Sequence, residues 1–299
     1  MTQGKRARIS VICTVRNELK TIRTLVDSLL KQTRQADEIV FSDGGSSDGT
    51  VDVLKSYGRR VRVISAPGAN IARGRNVAIA AAKGEWIASI DGGCVADRNW
   101  LAELERKMPF SDVVSGAYTP LEGGSRFERL QGLVVCKPVN RIGPGFLPSS
   151  RSVAFKKSAW LAVGGYPEDT YTAEDTIFDL ALKRTGFRFS LARNALVFWR
   201  MRPNLGSFAK QFRLYGYGDG KTGLVFKMPK NLVLVAFSVF SATALLLRNP
   251  LPVSIMMAFF CWEAAGLAER IADFPELLAL VAVKRISYVI GVVGGLFGV

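Results

Sequence analysis

Three short apolar runs in this chain each end in residues able to hold a ligand. Ile9–Thr14 leads into Thr14-Val15-Arg16-Asn17-Glu18, Glu38–Phe41 into Ser42-Asp43-Gly44, and Trp86–Ile90 into Asp91-Gly92-Gly93. Carboxylates at such ends accept hydrogen bonds, and arginines pair with anionic oxygens. Taken singly, each end has two open readings, a ligand contact or a cap on the following helix. The three together favour a site. Further on, Glu174 and Asp175 set two adjacent carboxylates at the start of a helical pattern running to Lys183. The chain has no histidine, which removes Ser-His-Asp triads, Cys-His pairs and histidine-ligated metals.

The elements that must carry these residues alternate. Ile9–Thr14 is a continuous apolar run, the pattern of a strand buried on both faces. Ile22, Leu25, Val26, Leu29 and Leu30 then form a helical stripe. Strands are predicted at Glu38–Phe41, Val61–Ile64 and Trp86–Ile90, with helices after Thr50, over Ile71–Ala82 and over Asn99–Met108. A strand–helix series of this kind predicts an α/β fold with a mostly parallel sheet. Ligands of such sheets bind at the carboxyl ends of the strands. Beyond Asp112 the alternation breaks. Strands are predicted at Asp112–Tyr118, Ser152–Phe155 and Ala195–Trp199, and helices at Arg126–Val135, Glu174–Lys183 and Ser207–Tyr217.

From Leu232 the composition changes. Leu232–Leu247 is 16 residues without a charge, Leu251–Leu267 holds only Glu263, and Leu277–Val299 is apolar apart from Lys284 and Arg285. A 16-residue helix is about 24 Å long, short of the ~30 Å hydrocarbon core. Short spans, a re-entrant hairpin, interfacial helices and a buried helical subdomain are all open readings. Lys221, Lys227 and Lys230 precede the first segment, and only Arg248 stands in the turn after it. The positive-inside rule then puts the first domain in the cytoplasm, at the cell membrane. The expected division is 1–229 for the α/β domain and 230–299 for a membrane-associated helical region. Met1–Arg8 is polar and basic, so no secretory signal is expected. Cys13, Cys94, Cys136 and Cys261 form no CxxC pair, which argues against zinc ribbons and thioredoxin-like sites. The net charge is +15, and nearly all of it lies before residue 230. A basic domain fits nucleic acid, anionic substrates or an anionic membrane surface.

The runs VICTVRNE, IVFSDGGSSDGT and ARGRNVAIAAAKGEWIASIDGG resemble glycosyltransferase family 2, and GGYPEDTYTAEDTIFDLAL resembles that family's Glu-Asp region. The resemblance covers roughly residues 8–220. It implies the GT-A fold, Rossmann-like, and inverting transfer from a nucleotide-diphosphate sugar, with a UDP-sugar favoured. It places Thr14, Val15, Arg16 and Glu18 at the nucleoside and Asp43 at the base, although a turn aspartate remains the other reading of Asp43. Arg75, before Asn76, matches an Arg-Asn pair near the nucleotide, with Arg73 a second candidate; a helix-surface arginine is the alternative. Asp91 matches the first residue of the Asp-x-Asp motif that binds magnesium or manganese. The second position is Gly93, and the family's late histidine falls near Trp199. Either Asp91 holds a metal with substrate oxygens and water, or the metal's role is weaker. Arg200 and Arg202 then become candidates to neutralise the diphosphate, or form a basic face towards the membrane. By resemblance Asp175 is the catalytic base and Glu174 positions or binds the acceptor, against a reading of both as helix-capping acids.

Gln211-Phe212-Arg213-Leu214-Tyr215 loosely resembles the Gln-x-x-Arg-Trp element of membrane polysaccharide synthases, Asp219 is a further weak candidate, and the Gly- and Pro-rich Pro144–Ser150 is a candidate acceptor-side loop. No GxGxxG follows a strand, no GxxxxGK[ST] occurs, and no nucleic-acid motif is visible. The expected function is an inverting, membrane-associated glycosyltransferase acting on a lipid-linked or glycan acceptor in envelope polysaccharide or glycolipid synthesis. A polyprenyl-phosphate acceptor is the near alternative. A non-catalytic nucleotide- or lipid-binding membrane protein is the alternative from another class.

Overall fold

The continuous apolar runs become strands and the 3.6-periodic stripes become helices. A computed structural model describes residues 6–143, 146–170 and 172–298. In chain order the elements are β1 (Ile9–Val15), α1 (Ile22–Leu30), β2 (Glu38–Asp43), α2 (Thr50–Lys55), β3 (Arg62–Ser65) and α3 (Ile71–Ala81). They continue through β4 (Trp86–Ser89), β5 (Cys94–Ala96), α4 (Trp100–Glu105), β6 (Val113–Pro120), α5 (Arg126–Val135), β7 (Val153–Lys156), α6 (Lys157–Ala162) and α7 (Glu174–Arg184). Last come β8 (Phe189–Trp199), α8 (Leu205–Lys221), α9 (Pro229–Leu246), α10 (Leu251–Leu267) and α11 (Phe274–Phe297). Contacts divide the chain into two units, Met1–Glu122 with Lys137–Arg200, and Gly123–Cys136 with Met201–Val299.

The first unit holds one sheet of order β3-β2-β1-β4-β7-β6-β8-β5. β3, β2, β1 and β4 are parallel, as the βαβ series predicts. β7 then runs antiparallel between β4 and β6, β8 is parallel to β6, and β5 closes the edge antiparallel to β8. β1 is buried at every residue but Thr14, which fits a central strand covered on both faces. α3 lies close over β1 because its residues are small. A side chain at Gly74 would bring its Cβ within 2.9 Å of Thr14 Cγ2. That close approach carries Arg75, on the buried face of α3, into the sheet's ligand end. Ile12, Val40, Ile79, Ile87, Phe155 and Phe178 form the core beneath it.

The second unit is helical: α5 and α8 to α11. α8 extends beyond the expected Ser207–Tyr217 and packs along α11 backbone to backbone. Gly216 faces the Tyr288 and Val292 main chain, Gly220 faces Val292, Gly291 faces Arg213, and Gly295 faces Tyr217 and Lys221. Any Cβ at these four glycines would collide with main-chain atoms, so only glycine permits this spacing. Small residues four apart are how apolar helices approach closely where hydrophobicity alone gives no selectivity. Arg126 and Arg129 tie α5 to Asp273 at 3.2 and 3.1 Å. Two helical stretches, Pro229–Leu246 and Ile271–Phe297, are long and apolar enough to cross a membrane, and the first is only 17% buried. Leu246, Leu247, Leu251, Trp262, Ile271 and Phe297 are among the large apolar side chains left exposed in this unit.

Candidate functional site

The carboxyl ends of β1, β2 and β4 gather the predicted residues, as the topology requires. β1 ends at Val15 opposite Asp43 of β2, and the Gly44 N–H donates to the Val15 carbonyl at 2.9 Å. Asp43 is buried and accepts from the Gly45 and Ser46 N–H groups, each at 3.0 Å to Oδ2. It also accepts from the Ser46 hydroxyl at 2.5 Å. The turn reading of Asp43 is therefore realised in the fold itself. Glu18 caps α1 by accepting the Thr21 and Ile22 N–H groups on its carbonyl at 2.9 and 2.8 Å. Its carboxylate accepts from Thr21 Oγ1 at 2.5 Å and lies beside Gly92. Arg16 and Arg73 are exposed, and Thr14 is partly buried.

Arg75 is the hub. It is 1% exposed, so its charge must be paired inside the protein. One terminal nitrogen donates to Glu174 Oε1 and to Asp175 Oδ1, each at 2.8 Å. The other donates to Asp91 Oδ1 at 2.8 Å. Residues far apart in the chain thus meet at one cation. Burial opposes the guanidinium's charge, but Asp175, Asp91 and Glu174 together hold it firmly protonated. Its Nε has no hydrogen-bond partner among the described residues. The Tyr166 ring lies 5.3 Å from the guanidinium and stacks on Phe178 at 4.1 Å.

The two adjacent carboxylates are pushed apart. Burial, and then the neighbouring Asp175 charge, push Glu174 up to about 7. A close cation ordinarily holds a carboxylate low, but Arg75 divides its charge among three of them. Burial also acts to raise Asp175, yet Arg75 and the Ser150 hydroxyl and N–H outweigh it and hold Asp175 below its ordinary value. Ser150 Oγ donates to Asp175 Oδ1 at 2.6 Å, and the Ser150 N–H reaches Oδ2 at 3.1 Å. Tyr166 Oη meets Ser150 Oγ at 3.0 Å. Asp179, one turn on in α7, is buried, and burial and the Asp175 charge push it above its ordinary value. One pH effect follows. Glu174 holds its proton more tightly in the folded chain, so the folded state is favoured fully below about pH 4.5 and loses that contribution as pH rises through about 7. Glu174→Gln should flatten the fall in Tm between pH 5 and 8, as thermal unfolding in a pH series would show. An unchanged slope would place the titration elsewhere.

Ser150 ends the loop expected on the acceptor side, while Tyr166 and Arg151 are residues beside these carboxylates that sequence reasoning missed. The polar run Ser149-Ser150-Arg151-Ser152 just before a strand was the available signal. Pro144 and Gly145 of the expected acceptor loop lie outside the described residues. Arg200 is exposed and joins the Asp91 side through its N–H, which donates to the Gly93 carbonyl at 3.1 Å. Arg202 belongs to the second unit, where it donates through Nε to Gln211 Oε1 at 2.7 Å; its carbonyl accepts from Gln131 Nε2 at 3.0 Å and its N–H donates to Gln131 Oε1 at 2.8 Å. Asp219 is also there, accepting from Tyr288 Oη at 2.5 Å.

The divalent cation that the Asp-x-Asp motif implies would need Asp91 and further oxygen or nitrogen donors. Asp91 Oδ1 is already bonded to Arg75, and Oδ2 faces Arg151 Nε at 3.9 Å. Gly93 adopts φ +71°, where a carboxylate-bearing residue would be strained. Among the described residues no three His, Cys, Asp or Glu side chains group to hold a metal. This donor set does not fit a protein-held cation. Cys13 and Cys94 lie near Asp91, and burial, with Asp91 the next cause for each, pushes both thiols up and away from thiolate chemistry.

The profile of the family described as glycosyl transferase family 2 matches residues 10–193. GlyG, a glycosyltransferase of Streptococcus pneumoniae, is 32% identical over 116 residues, which is 37% of this chain and 38% of that protein. EpsE of Bacillus subtilis, named as a glycosyltransferase, is 24% identical over 263 residues, 83% of this chain and 91% of its own. WbaN of Salmonella anatum, an O-antigen chain rhamnosyltransferase, is 24% identical over 186 residues, 56% of this chain and 58% of that one. The mannosyltransferase PcManGT from Pyrobaculum calidifontis, solved in complex with GDP-Man and Mn2+, shares the fold with a TM-score of 0.65. That likeness spans 98% of this chain and 88% of that one at 16% identity.

Proposed function

We propose a specific reaction for this chain, which belongs to glycosyl transferase family 2 and is a glycosyltransferase. It moves a glycosyl group, with inversion, from a nucleoside diphosphate sugar to an acceptor hydroxyl. The donor is a UDP-sugar by preference, and the acceptor is a lipid-linked or glycan chain presented at a membrane face. The observation that carries this reading is the geometry around Asp175. Its carboxylate is ionised, accepts three hydrogen bonds from Arg75 and Ser150, and is joined through Arg75 to Asp91 at the ligand end of the sheet. A carboxylate locked in that way can take the acceptor's proton as its oxygen attacks C1. Glu174, beside it on the same cation, positions the acceptor.

Membrane attachment is assigned to the helices after residue 229, with the α/β domain of residues 1–229 on the cytoplasmic side. The exposed apolar faces of α9 and α10 and the basic residues Lys221, Lys227 and Lys230 support that reading. The name of WbaN, with its O-antigen chain, supports assembly of envelope polysaccharide or glycolipid as the setting.

The test is calorimetry of the full chain in detergent against UDP-, GDP- and dTDP-sugars, followed by transfer assays with the donor that binds. Asp43→Ala should weaken nucleotide binding by about 1–3 kcal/mol through loss of a hydrogen bond to the base, with vesicle association unaltered. Undiminished affinity would assign Asp43 to its turn alone. Binding of none of these donors would remove the reading.

A further inference from the structure

The two positions where a metal ligand is missing are neighbours in space. β5 and β8 pair so that Cys94 stands opposite Trp199, and the Arg200 N–H bonds the Gly93 carbonyl at 3.1 Å. One side chain covers that junction. The Arg151 guanidinium lies 4.1 Å from the centroid of the Trp199 ring and 5.5 Å from that of Tyr118. Its Nη1 donates to Ser149 Oγ at 2.9 Å, and its Nε faces Asp91 Oδ2 at 3.9 Å. Stacking on two aromatic rings fixes the plane of a guanidinium, and a planar cation so fixed can pair two oxygens of a phosphate at once. The Arg151 side chain is only 16% exposed, so water screens its charge weakly. Glu18, beside Gly92, is a further carboxylate near Asp91, yet among the described residues no three His, Cys, Asp or Glu side chains group to hold a metal.

We propose that Arg151 takes the place of the divalent cation as the counter-charge of the leaving nucleoside diphosphate, so that transfer proceeds without metal. This rests on the glycosyl-transfer reading above. In the step, the C1–O bond to the diphosphate breaks and its electron pair leaves on the diphosphate oxygen. The acceptor oxygen forms the new bond to C1, and its proton passes to the Asp175 carboxylate. The diphosphate gains one negative charge as it leaves, and the Arg151 guanidinium, held by Trp199, Tyr118 and Asp91, receives it. Asp91 holds the cation in place instead of holding a metal, so Arg151 is a catalytic residue beside Asp175, and Asp91 a positioning one.

The experiment measures binding of UDP and of uridine (or the corresponding pair for the donor that binds) to the full chain, in EDTA and in manganese. Transfer rates are taken under both conditions. Diphosphate affinity and turnover should be the same in EDTA and manganese. Arg151→Met should weaken diphosphate binding about ten- to hundredfold, as expected for loss of a charge-assisted pair. Uridine affinity should stay unchanged, which also reports an intact fold. Arg151→Lys should recover part of the loss, since it keeps the charge but not the planar pair. Turnover that needs manganese and vanishes in EDTA would overturn the proposal while leaving glycosyl transfer standing. Equal diphosphate affinity in Arg151→Met would do the same. A chain that binds no nucleoside diphosphate would overturn both readings.

Discussion

Asp175→Asn should lower the rate of sugar transfer by about 10²–10⁴-fold, while the affinity for the nucleoside diphosphate stays within about twofold. The amide has the carboxylate's shape and can still accept from Ser150 Oγ, which now donates to Asp175 Oδ1 at 2.6 Å. It cannot accept a proton. Its NH₂ group would also face either the Arg75 guanidinium or the Ser150 N–H, both of them donors. The loss therefore falls on the chemical step. Asp175 is held below its ordinary carboxylate range, so it is ionised throughout the neutral region. A weak base suffices because the acceptor hydroxyl becomes acidic only as its bond to C1 forms. Single-turnover transfer and diphosphate calorimetry on the same preparation separate the two quantities. Unchanged turnover would remove Asp175 as the base. Glu174→Gln should lose far less, because Glu174 pairs with Arg75 and its proposed role is to position the acceptor without carrying the proton.

The parallel half of the sheet was legible because its signals are local. β1, β2 and β4 are apolar runs followed by helical stripes, and their ends carry the polar residues that chemistry needs. β5 escaped notice because three residues after a glycine turn give no periodicity to read. The six-residue α6 escaped for the same reason. β8 is longer than expected because Phe189–Arg193 alternates only weakly and pairs with β6 through a register shift near Gly116. The antiparallel insertion of β7 between β4 and β6 is a property of topology and leaves no local mark. The same holds within the site. Asp43, Arg75, Asp91, Glu174 and Asp175 are recognisable by type and context. Ser150 and Tyr166 act on Asp175 from 25 and 9 positions away in sequence, and Arg151 acts on Asp91 from 60 away. Nothing short of the folded chain brings those together. The Gly216, Gly220, Gly291 and Gly295 spacing was present in the sequence as two small-residue pairs four apart, and only the packing of α8 on α11 gives it meaning.

Arg75→Met should destabilise the α/β domain by about 3–5 kcal/mol at pH 8, because removing one partner of a buried ion pair leaves the others unpaired. Here one cation serves Asp91, Glu174 and Asp175, each at 2.8 Å, so its removal leaves three carboxylates facing one another. Each would then bind protons more tightly in the folded chain than in the unfolded one. Their contribution to stability would be present at low pH and lost as pH rises. Glu174, already raised to about 7 by burial and Asp175, should be the first to take a proton. Thermal unfolding of Arg75→Met should therefore recover towards the wild-type Tm as pH falls from 8 to 5.5, the reverse of ordinary acid weakening. A Tm equal to wild type at pH 8 would mean that the carboxylates need no shared cation. Arg75→Lys should fall between, since one ammonium is a point charge without the fork that reaches Asp91 on one side and the Glu174-Asp175 pair on the other. The same fork explains why Asp175 stays ionised in a buried place. The guanidinium that offsets the burial of Asp175 also joins it to Asp91, and so sets the proposed proton acceptor at a fixed distance from the residue that faces Arg151.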